Sequence, residues 1–553
     1  MAQNALRRFR PLQKHTRRKT ISLNWNGTSC IYGTAQQTPT TSIADLIPIM
    51  TRNTTAGSRR NNPNLIRSTE LREKRRKVQK TLNIDTINQD IRKMEYAVKG
   101  PLVVRAGEIE KEISAGIAKP FETVIRANIG DCHAMGQPKV TYPRQVMALC
   151  THELLFDDPT IPDDAKDHAR RILASCQGQS LGSYTESAGL KIVREDIAAF
   201  ISRRDGFSCD PDNIILTAGA GEGIKNTLEL LKNTTGKRAG AMIPIPQYPL
   251  YTASISQYGL YPINYYMDED NDWALDIQEL RRAVDAARAN CDPKAICVIN
   301  PGNPTGQVMT RQNIEDTIKF AYEEQLCILA DEVYQGNIHS KDHTFHSFRK
   351  VLYELGLPYS DQVELISFHS VSKGYMGECG LRAGYLEAVN IDPAVFQQLM
   401  KTFLFCSNTP GQVSLDCLVR PPQPGNPSFS LFQQQTDEIA TSLAERATLV
   451  SDLLNTIPGM QCNPVYGSMF AFPRLRLPET FLNKSKAANQ PADFRYAMQL
   501  LENTGICVVP GSGFGQKPGS YHFRTTILPP KEILIEMLGR LKDFHHKFLE
   551  RES

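Results

Sequence analysis

Short apolar runs recur through the middle of the chain, at 214–217, 241–243, 295–299, 327–330 and 365–368, and the stretches between them space their apolar positions as helices do. Strands that read as unbroken apolar runs are covered on both faces. The alternation therefore predicts an α/β body with a mostly parallel sheet flanked by helices. Upstream, 108–118 reads as a helix, 123–129 as a strand and 130–136 as a loop. The proline-rich stretch 421–427 then breaks the pattern, and 431–457 reads as one long helix leading into a smaller C-terminal unit. Ordered alternation begins near residue 83, which divides the chain into an extension (1–82), an N-terminal segment (83–162), a large body (163–427) and a C-terminal unit (428–553).

Composition narrows the class. Of 553 residues, 41% are hydrophobic and 22% charged, ordinary proportions for a globular enzyme, and no apolar run is long enough to span a bilayer. The 13 cysteines form no CxxC pair and no Cys/His cluster at metal-ligand spacing, so they read as reduced thiols, with no metal expected.

The net charge of +4 is unevenly spread. Arg7, Arg8, Arg10, Lys14, Arg17, Arg18 and Lys19 all precede the first acidic residue, Asp45, amid Ser, Thr, Asn and Gln, the composition of an organellar import segment. Import into the mitochondrial matrix is the expectation, with plastid import or a cytoplasmic protein as alternatives. The cluster Arg72, Lys74, Arg75, Arg76 and Lys77 also suits nuclear import or nucleic-acid contact, but the extension carries no helix-turn-helix pattern.

The densest chemistry lies in 364–386, ELISFHSVSKGYMGECGLRAGYL. An apolar run ends in Ser370, Ser372 and Lys373, and a glycine-rich loop returns Arg382 to the same place. One amine, two hydroxyls and one guanidinium suit a phosphorylated aldehyde: the amine can form an imine while the others satisfy phosphate oxygens.

This motif, S-x-S-K-G-Y-x-G-x-x-G-x-R-x-G, resembles the lysine motif of the fold-type I, pyridoxal-phosphate-dependent class I and II aminotransferases, and the resemblance runs from about Lys99 to the C-terminus. It implies that 163–427 is the cofactor-binding domain and that the smaller α+β domain is assembled from both chain ends. Asp331 ends a buried run, where a protonated pyridine nitrogen would compensate its carboxylate; taken alone, a helix N-cap explains it equally well. Asn303, in NPGNPTG, and Tyr334 resemble the residues that bond the ring's phenolic oxygen. Tyr248, in PQYPLY, resembles the aromatic that stacks on the ring, although a packing tyrosine fits that pattern nearly as well.

The turn TAGAGEGI at 217–224 offers the backbone amides of Ala220 and Gly221 and a helix dipole to the phosphate. It is not a dinucleotide fingerprint, and Gly221 stands where many relatives place a serine. Tyr184, in GSYTESAG, resembles the residue that reaches the phosphate from a neighbouring subunit, which implies a homodimer with shared sites.

Arg524, in YHFRTTILP, aligns with the family's clamp for a substrate α-carboxylate, and the resemblance implies that Asn303 also borders the substrate. The implied reaction is ping-pong transamination between small amino acids and 2-oxo acids, without nucleic-acid or membrane partners. NIGDCHAMGQ, RQVMALC, NYYMDEDNDWALD and HFRTTILPP resemble the alanine aminotransferase subgroup, which implies L-alanine and 2-oxoglutarate as substrates. The alternatives are a glutamate:glyoxylate aminotransferase, a lyase using the same cofactor, and a non-catalytic ligand sensor.

Overall fold

The computed structural model describes residues 80–96 and 100–552, so the basic segment read as an import signal lies, up to residue 79, outside the described residues. Seven strands make the central sheet: β1 (Ile214–Thr217), β2 (Arg238–Ile245), β3 (Tyr261–Tyr266), β4 (Cys291–Ile299), β5 (Cys327–Asp331), β6 (Leu365–Ser370) and β7 (Gly384–Val389). Their order is β1-β7-β6-β5-β4-β2-β3. The pairs from β3 through β6 are parallel, whereas β7 runs antiparallel to both β6 and β1. Six strands therefore point one way, and Thr217, Ile299, Asp331 and Ser370 all finish at the same edge. The reversed β7 begins there, which brings Arg382 to that edge from the opposite direction.

The five predicted runs fall within β1, β2, β4, β5 and β6. Two strands carried no such signal. β3 is the sheet edge: its residues alternate in burial and it includes Pro262, tolerated where no neighbour needs its missing N–H. β7 is buried throughout, but its Glu387 interrupts the apolar run, and the carboxylate is held by Arg349 Nε at 2.7 Å.

The expected strand at 123–129 is corrected by the structure. Only Ile125 forms a bridge, with Ile506; its N–H donates to Gly505 O and its carbonyl accepts from Cys507 N–H, both at 2.9 Å. Ala127 O then accepts from Thr526 N–H at 2.9 Å, so the segment is pinned at points rather than laddered. The helix expected at 108–118 is α1 (Pro101–Ser114), begun by a proline in the first turn, where no N–H is needed, and finished before Gly116 at φ +80°.

Helices α2 (Ala220–Leu230) and α3 (Leu250–Tyr258) lead from the ends of β1 and β2. Beyond the sheet come α4 (Phe429–Asn455), α5 (Ala492–Thr504) and α6 (Lys531–Glu552), with a three-stranded sheet of β8 (Phe470–Ala471), β9 (Val509–Pro510) and β10 (Phe523–Thr526). β10 is its central strand, antiparallel to both neighbours, so Arg524 enters the structure on a fully buried strand. Among the described residues no helix is long and apolar enough to cross a membrane.

Candidate active site

Lys373 sits three residues past the end of β6, half-buried, with Nζ donating to Gly130 O at 2.7 Å and lying 5.7 Å from the Tyr334 ring centroid. Burial opposes the charged amine, but Tyr334, Cys379 and Cys132 together outweigh it and hold the amine above its ordinary range. Gly130 lies in the loop after the pinned segment, and its oxygen is the acceptor that aims the amine.

Asp331 ends β5 and is buried. Tyr251 at the start of α3 donates its hydroxyl to Oδ2 at 3.2 Å, and Val333 N–H reaches Oδ1 at 3.4 Å. Neither neutralises a carboxylate, and burial raises its pKa to about 6. Among the described residues no cation pairs with it. A buried acid short of a positive partner fits a protonated ring nitrogen, as the sequence suggested for pyridoxal phosphate. Tyr251 lies three residues past Tyr248 in the same PQYPLY motif, but its role shows only once the helix turns it toward β5.

The phosphate side is built where β1 meets α2. Gly219 takes φ +88°, and a Cβ there would meet Arg382 Nη2 at 2.6 Å, so the guanidinium lies directly over the turn. Arg382 donates to Cys379 O at 2.9 Å and to Ala218 O at 3.2 Å, tying the lysine loop to the N-terminus of α2. The first-turn amides of α2, at Ala220 and Gly221, have no carbonyl one turn back to bond. Gly384 at the start of β7 passes so close that a Cβ would meet Ala220 N at 2.7 Å. Ser370 is buried and its Oγ accepts from Ser372 N–H at 3.3 Å. Arg382 and the first amides of α2 thus meet at one turn, and Ser370 lies beside it through its pairing with Gly384, a donor set that suits a phosphate.

Tyr248 is half-buried, and its hydroxyl is 2.8 Å from that of Tyr96, with the two rings edge to face. Tyr96 belongs to the segment ahead of α1 and had no motif to mark it. Tyr184 is 76% exposed and its ring stacks on Phe405, itself 73% exposed. Neither ring is tied to Lys373, Asp331 or Arg524 within the described residues of this chain.

Arg524 is buried, and its guanidinium donates to Asn303 Oδ1 at 3.1 Å and to Asn128 O at 2.8 Å, while Nε has no partner. It lies 3.9 Å from the Phe470 ring centroid and 4.7 Å from that of Phe514. Burial lowers its pKa to about 10, against the pull of Tyr334, Tyr248 and Tyr96. A cation between two rings and beside two neutral oxygens is arranged for an anion from outside the chain. Asn128, Phe470 and Phe514 were not anticipated, because each comes from a loop or an element of four residues or fewer, which only the fold brings to Arg524.

The sequence profile of the family described as aminotransferase class I and II matches residues 144–538. The chain belongs to the class I and II aminotransferases. This aminotransferase is 55% identical over 478 residues to alanine aminotransferase 2-like of Danio rerio, a match covering 86% of this chain and 87% of the relative. It is 43% identical over 477 residues to glutamate–glyoxylate aminotransferase 1 of Arabidopsis thaliana, covering 85% and 97%. Its fold matches the solved structure of alanine aminotransferase from Pyrococcus furiosus with a TM-score of 0.65 at 25% identity, over 83% of this chain and 99% of that one. As a class I and II aminotransferase it is a pyridoxal-phosphate-dependent enzyme of amino and 2-oxo acids.

Proposed function

We propose that this aminotransferase exchanges the amino group between L-alanine and 2-oxoglutarate, giving pyruvate and L-glutamate. Arg524 carries the reading: a buried guanidinium with no carboxylate partner among the described residues, in the cluster that holds Lys373 and Tyr334. Relatives named alanine aminotransferase, 51–55% identical, support the choice of alanine.

Pyridoxal phosphate, when bound, supplies an aldehyde to condense with amines and a protonated ring that draws off the electrons left by a departing α-proton. Lys373 would hold it covalently, and Ser370, Ser372, Arg382 and the first amides of α2 would hold its phosphate. Asp331 would keep a proton on the ring nitrogen, because a buried carboxylate gains most from a positive neighbour. Tyr334 and Asn303 would hold the phenolic oxygen, and Tyr248 would stack on the ring. Arg524 grips the substrate carboxylate through two terminal nitrogens, which orients Cα. The Lys373 amine would serve as the base that takes the proton from the substrate Cα and as the acid that returns it. Phe470 and Phe514 keep water from the guanidinium, which strengthens its hold on a carboxylate.

Titrating the holoenzyme with L-alanine tests this directly. The expected result is conversion of the absorbance of the aldehyde form to that of the amine form, reversed by 2-oxoglutarate and absent in Lys373→Ala. No spectral change with L-alanine sinks the reading. The Arabidopsis relative favours glyoxylate as a second acceptor, and faster amine-form decay with glyoxylate than with 2-oxoglutarate or pyruvate would select that reaction.

The working unit in this proposal is a homodimer. Tyr184, Leu404 and Phe405 are 76%, 80% and 73% exposed, and the same segment reaches the phosphate wall through Asn408 Nδ2, which donates to Arg382 O at 2.8 Å. A partner's Tyr184 would close over that wall. The large domain at 163–427 and the small domain from both chain ends are part of the same proposal, as is import into the mitochondrial matrix by the basic N-terminal segment. Cytosolic fluorescence of a full-length fusion would exclude import.

A further inference from the structure

Two sulfurs that amino transfer does not use lie beside Lys373. Cys379 follows the lysine by six residues around a glycine-rich turn, and Cys132 lies two residues beyond Gly130, the acceptor of the lysine amine. Cys379 Sγ is 3.0 Å from Ser372 O and 3.8 Å from the same Gly130 oxygen. Cys132 packs against the turn that carries Cys379: a Cβ on Gly377, two residues before Cys379, would meet Cys132 Sγ at 3.3 Å, so the two thiols are neighbours on either side of the Gly130 carbonyl. Cys132 is fully buried, with its sulfur 3.7 Å from Met469 Sδ, while Cys379 is half-buried.

We propose that Cys132 and Cys379 form a peroxide-sensitive dithiol whose oxidation to a disulfide shifts the two segments that aim Lys373 and stops amino transfer until the bond is reduced. The chemistry balances with hydrogen peroxide as oxidant. Cys379 sulfur attacks one peroxide oxygen, the O–O bond breaks, and a sulfenic acid and one water result. Cys132 sulfur then displaces the hydroxyl, so an S–S bond forms, the S–O bond breaks and a second water leaves. Two thiols have given up two electrons, and one peroxide has accepted both.

The order of events follows from the surroundings. Cys379 is the more accessible, and the neighbouring Cys132, then the charge of Lys373, hold its thiol below the ordinary range against the opposing effects of burial and Asp131. Cys132 is held above that range by the same contact and by burial, which suits the resolving thiol. In the turn between Lys373 and Cys379, Gly374 and Gly377 take φ +66° and +61°, and a Cβ on Gly377 would meet Cys132 Cβ at 2.7 Å. Glycine at 377 is what lets this turn close on Cys132. Closing it displaces Ser372 and Lys373 on one stem and Gly130 on the other.

The test exposes the full-length holoenzyme to hydrogen peroxide, maps its peptides without reduction and assays activity before and after dithiothreitol. The expected result is a Cys132–Cys379 cross-linked peptide pair, two hydrogens lighter than its parts, whose yield tracks the lost activity and falls as activity returns. Cys132→Ser should form no cross-link and should drift to sulfinic acid at Cys379, with activity that dithiothreitol does not recover. Recovery of both cysteines as free thiols in peroxide-inactivated wild-type protein, or full activity in fully cross-linked protein, overturns the proposal. Both readings come from the unmutated chain, so a variant that fails to fold leaves the decision intact.

Discussion

The guanidinium of Arg524 lies 3.9 Å from the ring centroid of Phe470, and no carboxylate among the described residues pairs with it. Ordinarily a buried cation without an anion is a liability of several kcal/mol. Here the missing anion is the substrate's, so the cost is relieved when the site fills. The ring makes the same point from the other side, since its face attracts the cation but cannot neutralise it.

Arg524→Lys should therefore separate charge from geometry. The ammonium keeps the charge but loses the planar fork, and one charge-assisted hydrogen bond is roughly a 10- to 100-fold effect. KM for L-alanine should rise by about that factor while kcat falls less. Steady-state kinetics with both substrates checks this, and an unchanged KM would remove Arg524 from the carboxylate site.

Gly130→Ala should damage the same corner from the opposite direction. The new Cβ would sit 2.7 Å from Phe470 Cζ and 3.4 Å from Lys373 Nζ, so Phe470 must move and Arg524 loses its stacking face. Overpacking of this kind costs about 1–3 kcal/mol of stability. A lower denaturant midpoint and a fall in kcat/KM of roughly tenfold are expected, the latter corresponding to about 1.4 kcal/mol.

Asp331 makes a pH-dependent prediction for the cofactor-free protein. Its folded pKa of about 6 lies above the ordinary aspartate value of 3.8, so the folded state carries a penalty that is absent below pH 4 and complete above pH 6. Two pKa units correspond to about 3 kcal/mol. Asp331→Asn should thus stabilise the cofactor-free chain by up to about that amount at pH 8, with the gain fading as pH falls through 6 toward 4. The same variant should bind pyridoxal phosphate more weakly, because the ring nitrogen loses its counter-charge. Thermal unfolding of both proteins across pH, with and without cofactor, reads out both effects.

Tyr96→Phe removes the hydroxyl that lies 2.8 Å from that of Tyr248. A net hydrogen bond is worth about 1 kcal/mol, so cofactor affinity should drop by roughly fivefold with the fold intact. Equilibrium dialysis against pyridoxal phosphate measures it, and unchanged affinity would leave Tyr96 as a packing residue.

Much of this site was legible in the chain because its residues stand at the ends of apolar runs. Lys373, Asp331 and Asn303 each follow a stretch that could only be a buried strand, and parallel strands deliver their ends to one edge. Arg524 was legible for a different reason, as the arginine of YHFRTTILP that aligns with the family's carboxylate clamp. β7 was not, because its buried Glu387 is tolerable only beside Arg349, a residue on another element. The pinned segment at 123–129 was misread because an apolar alternation looks alike whether the partner is a strand or a few scattered carbonyls.

What the sequence alone determined is the kind of chemistry and its scaffold: local apolar periodicity and a local motif both act over a few residues, and both survive without knowledge of the fold. What only the tertiary structure decided is how the distant pieces meet. It set the Gly130 carbonyl against the Lys373 amine, turned Tyr251 onto Asp331, and walled Arg524 with Phe470 and Phe514. These contacts join residues from ten to more than two hundred positions apart, and what favours them is burial, a property of the packed chain rather than of any segment within it.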